Sequence, residues 1–202
     1  HVRSRRQRQM CIRDSVYTAL ETENSQDKWI NMQLDASLSA VFGSRKEYVT
    51  TFTYSFVPAN SLPNGKAEYE VDEGEDLVYS REHYFGMKST KSLSFYIGKM
   101  DKVFGIRVPE HTAYSRLRTG NDQYGASHGA LVHFYKQNFD LGLHIYIGDL
   151  EKTEQTRYQG ASSKFEFTVN DKFRPGVSLL KESNETNERL ACLLYTSPSP
   201  RD

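Results

Sequence analysis

Asn31-Met32-Gln33-Leu34-Asp35-Ala36-Ser37-Leu38-Ser39-Ala40-Val41-Phe42 is the stretch whose reading decides the fold. Its even positions carry Met32, Leu34, Ala36, Leu38, Ala40 and Phe42, while Asn31, Gln33, Asp35, Ser37 and Ser39 hold the odd ones until Val41. Successive side chains on a strand point to opposite faces, so this period of two writes an apolar face and a polar face onto one extended segment. Tyr48 to Val57 repeats the pattern, with Tyr48, Thr50, Phe52, Tyr54 and Phe56 on one side and Val49, Thr51, Thr53 and Ser55 on the other.

Working outward, further strands are predicted over His83 to Met87, Leu93 to Gly98, Gly129 to Lys136, Leu141 to Gly148, Lys164 to Val169 and Phe173 to Leu180, about eight in all. The links between them sort by length. Gly43 to Glu47, Lys88 to Ser92, Gln137 to Asp140 and Asn170 to Lys172 are tight, whereas Pro58 to Glu82, Lys99 to His128 and Asp149 to Ser163 are long and polar. Short and long links alternate, as they do in a transmembrane barrel with short turns at one rim and long loops at the other. A soluble sandwich or lipocalin-like barrel is the competing expectation, but it has no reason to sort its loops in this way. The fold class expected is therefore all-β, an antiparallel up-and-down meander forming part of a transmembrane β-barrel and drawn as a curved open sheet.

Lipid explains the pattern. No water is there to satisfy backbone N–H and C=O groups, so strands cross only when laddered to one another, apolar side chains outward and polar ones inward. A crossing takes about ten residues. Trp29, Phe42, Tyr48, Tyr54 and Phe56, near strand ends, would supply interfacial aromatic girdles.

The ends read differently. Arg5 to Asp14 is what a transposase-type sequencing adapter encodes when translated (CGT CGG CAG CGT CAG ATG TGT ATA AGA GAC), and Cys192 to Asp202 is what the opposite adapter encodes. The codons for Gln9 to Asp14, reverse-complemented, give those for Leu193 to Ser197, and natural termini have no reason to encode an inverted repeat. Residues 1–15 and 192–202 are accordingly read as translated adapter and 16–191 as the natural barrel fragment. The terminal segments are expected to pack against nothing and to lack regular structure.

Setting the ends aside changes the composition. Both cysteines, Cys11 and Cys192, lie in them, so residues 16–191 hold neither a disulfide nor a thiolate metal site. The ends hold six of the 26 basic and two of the 26 acidic residues, which leaves 20 against 24 and a charge of −4. A general nucleic-acid binder should be basic, so that partner class is excluded. No apolar run reaches the roughly 18 residues of a membrane-spanning helix.

Chemistry-bearing constellations are sparse. A two-residue turn at Asn138-Phe139 would place His133 opposite His144 on the polar face, a pair that becomes a metal site only with an added carboxylate. The acidic run Glu68, Glu70, Asp72, Glu73, Glu75 and Asp76 lacks EF-hand spacing and reads as a solvated loop. Lys99, Asp101, Lys102, Arg107, Glu110, His111 and Arg116 place mixed charge on the second long loop, which could enter the lumen and select solutes by charge and size. Together with Asp35, His133, His144, Glu166 and Arg174 on strands, they form the candidate pore-lining set. Ser127 and His128 are sequence neighbours and would point to opposite faces of a strand, a poor catalytic dyad; no phosphate loop, carboxylate pair or zinc signature appears, so no enzyme, metal or cofactor is expected.

Tyr96-Ile97-Gly98-Lys99-Met100-Asp101-Lys102-Val103-Phe104-Gly105-Ile106-Arg107, with Glu110-His111-Thr112-Ala113-Tyr114-Ser115-Arg116, resembles the strand-to-loop segment of porin-like outer-membrane proteins of Gram-negative bacteria. The resemblance implies a passive diffusion channel for small solutes in the bacterial outer membrane, with outer-membrane lipid as partner and a homo-oligomeric assembly. The alternatives are a structural or adhesive outer-membrane barrel without an open pore, and a soluble β-sandwich or barrel that binds a ligand. Pro175 inside a predicted strand departs from the pattern, because it removes a ladder donor.

Overall fold

The computed structural model describes residues 9–23, 26–59, 69, 75–105, 119–121, 124–169 and 173–197, with side chains described from 33 to 196. Ten strands run in chain order: β1 Gln9–Glu23, β2 Gln26–Phe42, β3 Tyr48–Val57, β4 Leu77–Lys88, β5 Leu93–Met100, β6 Ser127–Lys136, β7 Phe139–Gly148, β8 Gln159–Phe167, β9 Arg174–Ser183 and β10 Glu188–Ser197. Each pairs antiparallel with its sequence neighbours in a single sheet, the expected up-and-down meander. No helix among the described residues is long and apolar enough to cross a membrane, which says nothing about crossing by strands.

The links from β2 to β9 alternate short and long as expected. The strand ends joined by 43–47, 89–92 and 137–138, and those of β8 and β9, make one rim, and the ends of β3 and β4, β5 and β6, and β7 and β8 where the long links begin and end make the other. The eight predicted strands correspond to β2 through β9, of which β3 keeps its predicted limits and β4 begins six residues earlier, at Leu77.

Two faces of opposite chemistry result. Leu34, Leu38, Phe52, Phe56, Leu143 and Ile145, expected on one outer surface, are all exposed, Ile145 to 65%. On the other face Asp35, Thr53, His144 and Glu166 are buried, and Ser37 and His133 are half-buried. Among the described residues fifteen polar or charged side chains are buried against nine apolar ones, the reverse of a water-soluble core. The apolar set is not enclosed between two packed sheets, which removes the sandwich. Among the described residues, the buried apolar side chains that cluster together are Val57, Tyr69, Leu77, Tyr79 and Tyr124, at the long-loop rim.

Aromatic rings collect at the short-turn rim. Tyr48 stacks on both Phe42 and Phe85, with the three centroids 5.5 to 6.3 Å apart, and on β6 to β8 Phe139 stacks on Phe134 and meets Phe165 at a tilt.

Three expectations need correction. The β6–β7 turn is Gln137-Asn138, so Lys136 pairs with Phe139 and Val132 with Leu143. The facing is as predicted but the register slips by two: His133 lies opposite Gly142 and His144 opposite Leu131, not opposite each other. The observed register sets Phe139 beside Phe134 with the Lys136 ammonium 5.5 and 5.9 Å from their ring centres, contacts that the predicted turn would have given up. Secondly, the terminal segments are not without structure, since β1 ladders with β2 and β10 with β9. A sheet edge presents unpaired backbone groups that accept any extended neighbour, whatever its side chains. Leu194 remains 78% exposed, while Ile12 lies outside the residues whose side chains are described. Thirdly, Pro175 costs no β8 bond: the β8–β9 ladder stops at Gly176, leaving Pro175 paired only with Thr196 of β10.

Candidate functional site

The concave face is built from short polar side chains that the period of two turns inward. Between β2 and β3, Ser39 and Thr51 are bonded at 3.0 Å and Ser37 and Thr53 at 2.8 Å. Farther along, Gln33 Nε2 (2.5 Å) and Ser55 Oγ (2.6 Å) donate to Asp35, and Arg81 of β4 pairs with the same carboxylate. Arg81 reaches it because a register shift opposite Thr53 and Tyr54 inserts an extra residue into β4.

Lys99 anchors the long-loop rim. Its ammonium, 1% exposed, lies 2.7 Å from Asp149 and 3.2 Å from Glu151, and 5.8 Å from the ring centres of both Tyr69 and Tyr79. Gly98, just before it in β5, has φ of +133°, where a Cβ would also meet the His83 carbonyl oxygen, so glycine lets β4 and β5 approach closely there. Tyr69 donates to Asp149 at 3.0 Å, and burial beside that carboxylate raises the phenol above its ordinary range. That hydroxyl ties Tyr69, of the link between β3 and β4, to the residue that follows β7. Glu151 also accepts the Ser80 backbone N–H at 3.0 Å, a donor of β4 beyond the end of the β5 ladder.

The start of the second long loop lies on the concave face. Lys102 pairs with Glu182 of β9 at 2.6 Å, and Gly105 N–H donates to Ser178 Oγ at 2.9 Å. Between them Val103 covers Gly142 of β7, where a Cβ would collide with it. Residues 101–105 thus run inside the curve, across β7 and β9. Burial holds the Lys102 ammonium below the usual lysine range, against the pull of Glu182. Glu182 also accepts from Tyr146 at 2.9 Å and pairs with Arg189 at 3.2 Å, so its charge is shared among three donors.

Towards the short turns, His133 Nε2 and Asp140 Oδ1 are 2.7 Å apart, Arg174 stands 3.6 Å from Asp140 and 2.9 Å from Glu166, and Lys164 is 2.8 Å from Glu166. Tyr195 of β10 donates to Glu166 at 2.9 Å. Farther up, His144 of β7 and Ser162 of β8 face each other in register, both buried, with neither ring nitrogen nor hydroxyl hydrogen-bonded.

Of the candidate pore-lining residues, Asp35, Lys99, Lys102, His133, His144, Glu166 and Arg174 take the positions just described, and Asp101 is half-buried in the inserted segment. Arg107, Glu110, His111 and Arg116 lie outside the described residues. In the acidic run, Asp76 accepts the Ala59 N–H at 2.8 Å, while 68, 70, 72 and 73 are outside the described residues. The added carboxylate that would raise the metal reading does stand beside His133, yet no group of three or more His, Cys, Asp or Glu suited to a metal occurs among the described residues.

One contact was missed in the sequence. His128 and His83 meet with Nε2 atoms 3.1 Å apart, His83 Nδ1 lies 2.7 Å from Ser80 Oγ, and the Leu150 N–H donates to His128 Nδ1 at 3.1 Å. Both histidines align in register with Lys99 between them, a row no local spacing reveals. An accepting Nδ1 places the His128 proton on Nε2, directed at His83.

No protein-family profile and no curated protein matches this chain. Among solved structures it is similar to OmpT, in-vitro folded, an outer membrane protein of Vibrio cholerae in trimer form, at 12% identity and a TM-score of 0.42, over 96% of this chain and 74% of that one.

Proposed function

We propose that residues 16–191 are part of a porin-like channel of the bacterial outer membrane, through which small solutes diffuse passively. The observation that carries this is the inversion of the sheet: exposed apolar side chains cover one face and buried polar ones the other. In water such a surface is an aggregation hazard, whereas in lipid it is what a spanning sheet requires. The segment 101–105, tied to Glu182 and Ser178, supplies a narrowing of the polar side. Conductance across a planar bilayer tests the proposal. A stepwise, ohmic current on addition of the folded chain is the expected result, and an intact bilayer that carries protein without current contradicts it.

One observation favours a second reading, a structural barrel without an open pore. The concave charges neutralise one another, as in Lys99 with Asp149, Lys102 with Glu182 and Arg174 with Glu166, and each of these side chains is 9% exposed or less. A solute path needs charges that face water. Membrane insertion without conductance would select this reading.

A further inference from the structure

The two rims differ in charge as well as in loop length. Among the described residues the short-turn rim holds five basic side chains (Arg45, Lys46, Lys88, Lys91 and Lys136) and one acidic one (Glu47), a net of +4. The links at the opposite rim hold, among the described residues, seven acidic side chains (Glu75, Asp76, Asp101, Asp149, Glu151, Glu154 and Glu185) and three basic ones (Lys102, Lys152 and Arg157), a net of −4. On the concave face acids and bases pair off, but at the short-turn rim Lys88 and Lys91 have no carboxylate partner among the described residues.

These unmatched cations surround a cavity. Tyr48 and Met87 are cross-strand partners, and the Lys88 N–H donates to the Glu47 carbonyl at 2.6 Å, so turns 43–47 and 89–92 stand side by side. Between them opens a recess of about 630 Å³ walled by Arg45, Lys88 and Lys91, with Tyr48 and Met87 among its apolar lining. Glu47 is its one acidic wall residue, and its carboxylate is engaged by the Arg45 backbone N–H at 2.7 Å. Backbone N–H bonds hold that carboxyl below its ordinary range, so it stays charged and three cations face one anion. Tyr48 stacks on Phe42 and Phe85, both exposed on the apolar face, which makes the recess continuous with the surface assigned to lipid.

We propose that this recess binds an anionic membrane glycerophospholipid, its phosphodiester between Arg45, Lys88 and Lys91 and the head of its acyl chains against Tyr48 and Met87. The proposal rests on the membrane reading above. A phosphodiester spreads one negative charge over two oxygens, which a site carrying two net positive charges attracts, and a guanidinium can hold both oxygens at once. The apolar lining and its continuity with the girdle favour a lipid over free phosphate, which would use only the cations.

The test reconstitutes the full chain into phosphatidylcholine vesicles carrying a trace of spin-labelled phosphatidylglycerol or spin-labelled phosphatidylcholine, and compares the motionally restricted fraction of each. One cation at an anionic lipid surface corresponds to about a fivefold preference, so the expected result is at least about fivefold selectivity for phosphatidylglycerol. It should fall to about one in Arg45→Gln/Lys88→Gln/Lys91→Gln and stay unchanged in Lys181→Gln, at the far rim. Equal restriction of the two lipids by the unsubstituted chain overturns the site while leaving the membrane reading standing, since the chain still floats with the vesicles. Failure to float overturns both. Loss of selectivity on adding inorganic phosphate at constant ionic strength overturns the lipid as occupant and assigns the recess to free phosphate.

Discussion

The two faces of one strand, β7, show what the molecule is built for. Leu143, Ile145 and Ile147 are 48%, 65% and 57% exposed, while Gly142, His144, Tyr146 and Gly148, interleaved with them, are buried. Neighbouring residues share backbone, temperature and ladder; only direction differs. In a soluble sheet the apolar residues would be buried and the polar ones wet. Here ion pairs and hydroxyl ladders tie the buried side together, although His144 and Ser162 stay without a hydrogen bond, whereas Leu143, Ile145 and Ile147 present no polar side chain. Each face is therefore vulnerable to a different kind of substitution.

The largest effect is expected on the buried side. Lys99→Met removes the only cation that is ion-paired to Asp149 and Glu151 together among the described residues, and leaves the Asp149 carboxylate, 2% exposed, to the neutral Tyr69 hydroxyl and the Glu151 backbone N–H. Losing one partner of a buried pair costs about 3–5 kcal/mol, to be read from the urea midpoint of the reconstituted chain. A loss below about 1 kcal/mol would show that water reaches the site and would weaken the contrast between faces.

Next in size is a charge on the opposite face. Ile145→Arg places a guanidinium where lipid is expected, at about 2–4 kcal/mol near the bilayer midplane. The same substitution on a wetted surface would stay within about 0.5 kcal/mol, so equilibrium unfolding in vesicles separates the two surroundings directly.

Gly142→Val probes the inserted segment, because its side chain must occupy the space filled by Val103. Overpacking there costs about 1–3 kcal/mol and should release residues 101–105 from the wall. A channel predicts higher single-channel conductance in this variant, and unchanged conductance would show that the segment does not set the narrowing.

The smallest effect marks the edge of the comparison. Lys181 and Glu188 pair at 3.0 Å while 71% and 62% exposed. Lys181→Ala should cost less than about 1 kcal/mol, measured alongside Lys99→Met in the same denaturant series.

Facing was legible in the sequence because a period of two is written residue by residue, and Asn31 to Phe42 needed no tertiary knowledge to assign Asp35 inward and Leu34 outward. Register was not. Turns at Gln137-Asn138 and Asn138-Phe139 give the same facing, and the choice rests on stacking among Phe134, Phe139 and Phe165, which lie on three strands. For the same reason His133 was matched to the wrong partner, and Asp140, seven residues away, was overlooked although the turn returns it to hydrogen-bonding distance. The His83–His128 contact spans 45 positions and is made across β5, where both histidines align with Lys99. The inserted position of residues 101–105 depends on Glu182 and Ser178, some eighty residues downstream, and mixed charge on a loop gives no sign of which charges will meet.

The central claim, that the exposed face of this sheet lies in lipid, is tested most directly by the surroundings of β7. In a background with Cys11 and Cys192 replaced by serine, single cysteines at 141 through 147 are spin-labelled in vesicles, and their collision rates with oxygen and with a water-soluble nickel chelate are compared. The account predicts a period of two, with labels at 143, 145 and 147 favouring oxygen and those at 142, 144 and 146 not. Uniform access of the nickel chelate to 143, 145 and 147 would place the apolar face in water and contradict it.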